Sequence, residues 1–91
     1  MSKDNKYSHA SIMAEQMIWK FIEARRQDKG LSIEQLGSMV GLSKGNYSRY
    51  KNGHVQVPLR VILSICGALE LRPFLVPAEN DDSEYERIFF N

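Results

Sequence analysis

Residues 31–53 read LSIEQLGSMVGLSKGNYSRYKNG, and the rest of the chain is best understood as what holds this stretch in place. Ser32 opens a short helix, and Gln35 three residues on completes the capping-box spacing, in which each side chain satisfies the other's backbone N–H. Ile33, Leu36 and Val40 then form an inward stripe. Gly37 leaves room for another helix to approach closely. Gly41 can take the positive φ that ends one helix and turns the chain sharply, Leu42 plugs the core, and Ser43 caps the next helix. That helix runs to about Lys51, with Tyr47 and Tyr50 inward and Lys44, Gly45, Asn46, Ser48 and Arg49 on or near its outer face. Asn52-Gly53 ends it. A short helix bearing Lys, Asn, Ser and Arg on its outward side, fixed at an angle by a packed partner, is suited to a nucleic-acid groove.

Working outward, residues 1–10 are polar and aperiodic and read as a flexible arm. A helix is expected from Ser11 to about Lys29, where Ala14, Ile18, Phe21, Ile22 and Arg25 recur at spacings of three and four before Gly30. After a loop at 54–57, Pro58 suits the first turn of a further helix, with Leu59, Ile62, Leu63, Ile65, Cys66 and Leu69 giving a wide apolar face. Residues 72–77, RPFLVP, are bracketed by prolines and rich in strand formers, so they read as a short strand. A lone strand leaves its backbone unpaired, and the same strand from a second copy is the economical partner. An acidic loop at 78–84 precedes the aromatic segment 85–90, which is apolar enough to dock. The expected organisation is therefore an arm (1–10), a helical domain (11–71), and a strand with an acidic, aromatic tail (72–91).

The chain has 91 residues, enough for one modest core and too few for an enclosed catalytic cleft. Its single cysteine excludes an intramolecular disulfide and favours a reducing, cytoplasmic setting. No apolar run is long enough to span a bilayer, and the polar N-terminus does not resemble a secretory signal. Net charge is only +1, but residues 1–60 carry ten Lys/Arg against five Asp/Glu, and residues 61–91 carry two against six. No acid lies between Glu34 and Glu70, whereas Lys44, Arg49, Lys51 and Arg60 do. That segregation makes a local polyanion-binding face without making the whole chain basic.

Residues 31–71 resemble the lambda-repressor-like helix-turn-helix domain, the Xre or Cro type. The resemblance is carried by Gly30-Leu31-Ser32, Leu36-Gly37, Val40-Gly41-Leu42-Ser43, Ser48-Arg49, Asn52-Gly53, Pro58-Leu59, Leu63 and Ala68-Leu69, with Ile22 and Arg26 upstream. It implies an all-α fold of four to five helices in which the second helix crosses the DNA backbone and the third enters the major groove. It further implies that Lys44, Gly45 and Arg49 face bases, that Asn46 and Ser48 reach base edges or phosphate, and that Ser32, Ser43 and the backbone near Asn52 meet phosphates. Arg49 has the fork that matches guanine O6 and N7, Lys44 suits the same acceptors, and Asn46 can pair with adenine.

Three positions depart from that pattern. Ile33 stands where a phosphate-binding glutamine is common. Gly45 offers no side chain to its base pair and weakens its helix by about 1 kcal/mol relative to alanine. Lys51 stands where the family often places a glutamate that pairs with the arginine at position 26, so that pair is lost and Lys51 becomes a phosphate contact. The Pro-bracketed strand is similar to that of HipB-type antitoxin repressors, whose C-terminal strand pairs across a dimer. The resulting expectation is a homodimeric, sequence-specific repressor on a palindromic operator, bacterial or phage-encoded and nucleoid-associated. The alternative is an antitoxin whose tail also binds a toxin protein.

Other residues have ordinary readings. Cys66 sits on an apolar helix face as a buried thiol, Trp19 belongs to the core or a dimer interface, and His54 is either a loop residue or a phosphate donor. Two separated histidines and one cysteine make no metal set, and Asp81, Asp82, Glu84 and Glu86 lack the glycine and loop spacing of a calcium site. No nucleophile with a positioned base is visible, so neither an enzyme nor a cofactor is expected.

Overall fold

The structure is a computed structural model that describes residues 6–77 and 84–90. Residues 1–5 of the expected arm, and the loop at 78–83 with Asp81 and Asp82, lie outside the described residues. Among the described residues five helices follow one another: α1 Lys6–Asp28, α2 Ile33–Val40, α3 Lys44–Lys51, α4 Leu59–Ala68 and α5 Glu84–Phe90. No strand occurs among the described residues.

The first four helices end alike. After each, one residue takes a positive φ (Gly30 69°, Gly41 75°, Gly53 77° and Glu70 58°), and the N–H of the next residue reaches back five positions. Leu31 donates to Arg26 O at 3.1 Å, Leu42 to Gly37 O at 2.8 Å, His54 to Arg49 O at 2.9 Å and Leu71 to Cys66 O at 2.8 Å. This terminus satisfies carbonyls the helix leaves open and throws the following side chain back over the helix. In three of the four that side chain is a leucine (Leu31, Leu42, Leu71), and each packs on the core. The turns are thus part of the hydrophobic assembly. At Glu70 the left-handed conformation is held without glycine, at a backbone cost that glycine would not carry.

The core is Trp19 and Ile22 from α1, Leu36 from α2, Tyr47 from α3, and Ile65 with Leu69 at the α4 end. Each full burial of a large apolar side chain contributes about 1.5–3 kcal/mol, so this small cluster dominates stability. Trp19 meets Tyr47 edge to face at a centroid distance of 5.4 Å, a favoured aromatic geometry. The Trp19 indole N–H finds no acceptor among the described residues.

Several expectations are corrected here. α1 begins at Lys6, not Ser11, and Ala10 is buried, so residues 6–10 belong to the helix and not to an arm. The aromatic tail forms α5, which packs against α1. The face of α1 that meets the core carries Trp19, Ile22 and Arg26, whereas Ile18 and Phe21 of the expected stripe are exposed. On α4 the core takes Ile65, Cys66 and Leu69 with Ile62 beside them, leaving Leu59 and Leu63 on the surface. Pro58 caps α4 from just outside it, its carbonyl accepting from Val61 at 3.0 Å. Residues 71–77 are irregular in the single chain, with Phe74, Leu75 and Val76 exposed, so the expected strand is not formed within it. The close approach at Gly37 involves the turn and not another helix: a Cβ there would lie 2.5 Å from the Leu42 carbonyl oxygen.

Candidate nucleic-acid interface

The turn between α2 and α3 is fixed by backbone hydrogen bonds and by the caps of both helices. The Gly37 carbonyl accepts the N–H groups of both Gly41 and Leu42, which binds the turn to the body of α2. Ser32 forms the complete capping box, its hydroxyl accepting from Gln35 N at 3.0 Å and its own N–H donating to Gln35 Oε1 at 2.7 Å. Ser43 accepts from Asn46 N at 3.1 Å and starts α3. Both serines are exposed helix caps, so each marks an outward-facing helix N-terminus.

α3 is fixed from below by Tyr47, which is fully buried. Its hydroxyl donates to Glu23 Oε2 on α1 at 2.6 Å. The same carboxylate receives Arg26 through Nε at 3.0 Å and Nη2 at 2.9 Å, and the Lys51 ammonium lies 3.8 Å away. Burial pushes the Glu23 carboxyl up, but the hydrogen bonds from Arg26 and Tyr47 and the charges of Arg26 and Lys51 outweigh it, leaving it below the ordinary carboxylate range. Burial first, and the neighbouring carboxylate second, push the Tyr47 phenol well above its ordinary value, so it stays a donor. Arg26 also donates to the Leu31 carbonyl, and Arg25 Nε donates to Leu69 O at 3.0 Å, so α1 holds the ends of both its own turn and α4.

This hub gives Lys51 a partner within the fold. Arg26 keeps a carboxylate partner, but from its own helix, and Lys51 is turned toward that carboxylate with its side chain only 28% exposed. Glu23 was not recognised from the sequence. Its signal was the i,i+3 spacing to Arg26, and what linked it to α3 was tertiary.

The remaining site residues come together on the outer side of α3. Gly45, Asn46 and Arg49 are exposed, Ser48 is half-buried, and Asn52 caps the C-terminus, its N–H donating to Ser48 O at 2.9 Å. A Cβ at Gly45 would meet nothing within 4 Å, so the helix surface there is open and close to the backbone. Lys44 lies on the flank toward α2, its ammonium 3.5 Å from the exposed Glu34 carboxylate, a second partner the sequence did not reveal. His54 is exposed just beyond α3. No group of His, Cys, Asp or Glu among the described residues could hold a metal ion, and Cys66 is buried, its thiol pushed up by burial.

A capped helix pair joined by a left-handed glycine, with an anchored tyrosine below and a polar flank above, defines a helix-turn-helix DNA-binding domain. The helix-turn-helix family profile matches residues 22–75, and the chain belongs to that family, the Xre or lambda-repressor-like type. No significant match exists among curated proteins or solved structures. Family membership makes the chain a DNA-binding regulator, of a class that is generally non-enzymatic. No helix among the described residues is long and apolar enough to cross a membrane.

Proposed function

We propose that the protein is a dimeric, sequence-specific repressor that places two copies of α3 in successive major grooves of a palindromic operator and occludes a promoter. The observation that carries this reading is the division of α3: Tyr47 is locked to Glu23 while Gly45, Asn46 and Arg49 face outward. A rigid scaffold of this kind presents donors to base edges in the major groove. Arg49 reads a guanine, Lys44 and Asn46 flank it, and Ser48 supports them. Ser32, Ser43 and Asn52 bring capped helix ends to phosphates, which supply most of the affinity and its salt dependence. Lys51 serves the scaffold first and the phosphate backbone second.

Enrichment of binding sites from a random duplex pool tests the reading. An inverted repeat is expected, with half-sites separated by about one helical turn. Arg49→Ala is expected to weaken operator binding about 5- to 100-fold and to erase preference at one position per half-site. Equal losses on operator and random DNA would make Arg49 a phosphate contact and end the base-reading role.

The exposed run Phe74, Leu75 and Val76 favours a second copy as the partner of residues 72–77, because three adjacent exposed apolar side chains on an unpaired backbone invite strand addition. Leu75→Asp should leave the melting of the helical domain unchanged and shift the chain toward monomer in analytical ultracentrifugation. If dimerisation is untouched, the segment is not the dimer seam. The alternative reading, an antitoxin that binds a toxin protein through the tail at 81–91 as well as DNA, is separated by deleting that tail: a partner-only tail leaves operator affinity and dimerisation intact.

A further inference from the structure

The base-reading helix has an acidic neighbour. Glu34 projects from the first turn of α2, and its carboxylate lies 3.5 Å from the Lys44 ammonium at the first turn of α3. Both side chains are nearly two-thirds exposed (63% and 64%), on the side where α2 and α3 begin. An acid beside a phosphate-binding surface opposes non-specific affinity, so its presence calls for a compensating use.

We propose that Glu34 and Lys44 act together as one reading unit for a single G·C base pair, making Glu34 on α2 a specificity-determining residue alongside those of α3. The inference rests on the DNA-reading role proposed above. In the major groove a G·C pair offers the guanine O6 acceptor and the cytosine N4 donor side by side, about 3 Å apart across their own hydrogen bond. The protein pair presents the complementary arrangement, an ammonium donor and a carboxylate acceptor at a similar separation. An A·T pair offers its donor and acceptor in the same groove from adenine N6 and thymine O4, but it lacks the two adjacent guanine acceptors that an ammonium favours.

Two features keep Glu34 suited to this role. Its own backbone N–H, and then Lys44, hold its carboxyl below the ordinary range, so it remains an acceptor at neutral pH. Its place in the first turn of α2 is favourable for an anion. The pair is also neutral as a whole, so Lys44 releases few counterions on random DNA, and the contact favours a matching base pair over bare phosphate.

The test uses wild type, Glu34→Gln, Lys44→Ala and the double variant, with site enrichment from a random duplex pool and salt titration on a mixed-sequence duplex. Glu34→Gln and Lys44→Ala are expected to lose preference for G·C at the same position, by about 5- to 100-fold, with the double variant no worse than Lys44→Ala. On the mixed-sequence duplex Glu34→Gln is expected to bind more tightly at low salt. Its plot of log affinity against log salt should be steeper by about one, roughly a threefold difference between 50 and 200 mM. Loss at different positions, or an unchanged enriched site in Glu34→Gln, overturns the reading unit. A wild-type chain that enriches no sequence overturns the DNA-reading role itself.

Discussion

Replacing Glu23 by glutamine isolates the hub that seats α3. The carboxylate accepts three hydrogen bonds, from Arg26 Nε at 3.0 Å, Arg26 Nη2 at 2.9 Å and Tyr47 Oη at 2.6 Å, with Lys51 at 3.8 Å. Glutamine keeps one carbonyl oxygen, so Tyr47 or Arg26 can still donate, but the charge and the fork-to-fork geometry with Arg26 are lost. Charge-assisted hydrogen bonds contribute about 1.5–3 kcal/mol each, and leaving a buried donor unmet costs about 1–3 kcal/mol. Side-chain exposures of 12% for Arg26 and 17% for Glu23 admit some water, which lowers the total. The expected loss is about 2–3 kcal/mol at pH 7, or roughly 8–20 °C in Tm for a domain of this size. Urea unfolding followed by circular dichroism measures it.

The pH dependence gives a second check. Glu23 titrates below its unfolded value, so its contribution is complete above the ordinary carboxylate pKa and is lost as pH falls through the depressed one. Wild type and Glu23→Gln should therefore differ fully at pH 6–7 and converge in acid, below about pH 4. A gap below about 0.5 kcal/mol at pH 7, or one that persists unchanged in acid, would refute the hub as the anchor of α3.

Three further substitutions test the scaffold. Gly37→Ala drives a methyl into the Leu42 carbonyl, which belongs to backbone and cannot rotate away, so a loss of about 2 kcal/mol or more is expected by urea titration; a neutral result would mean that the turn relaxes freely. Glu70→Gly should raise Tm by about 2–6 °C, since the left-handed position at φ 58° is relieved and only a largely exposed pair with Lys29 is lost. A lower Tm would show that the Lys29 pair outweighs the strain. Lys51→Ala should lower stability by about 0.5–1 kcal/mol and flatten the salt slope of DNA binding by less than about one, because the ammonium is shared between Glu23 and the phosphate backbone. A slope unchanged would remove Lys51 from the phosphate contacts, and a stability unchanged would remove it from the scaffold.

Local chemistry was readable wherever residues act within one turn of each other. Ser32 with Gln35, Gly41, Ser43 and the burial of Tyr47 all follow from short-range rules of capping, backbone freedom and helical spacing, and the structure bears them out. The helix-turn-helix core was legible for that reason. The start of α1 was not: residues 6–10 carry no periodicity of their own, yet they continue the helix that also receives α5 from the far end of the chain. Apolar spacing on α1 and α4 likewise allowed more than one inward face, and only the partner helices selected Trp19 and Ile22 over Ile18 and Phe21, and Ile65 and Leu69 over Leu59 and Leu63.

Capping and turn chemistry are encoded in neighbouring residues, so the amino-acid order alone determined the two short helices, the sharp turn between them and the polar outer flank of α3. Charge pairing depends on distances between segments far apart in the chain, so only the folded arrangement decided that Glu23 gathers Arg26, Tyr47 and Lys51, and that Glu34 stands beside Lys44. A single carboxylate with several cations within reach of its sequence could have paired with any of them; packing of α3 on α1 chose among them.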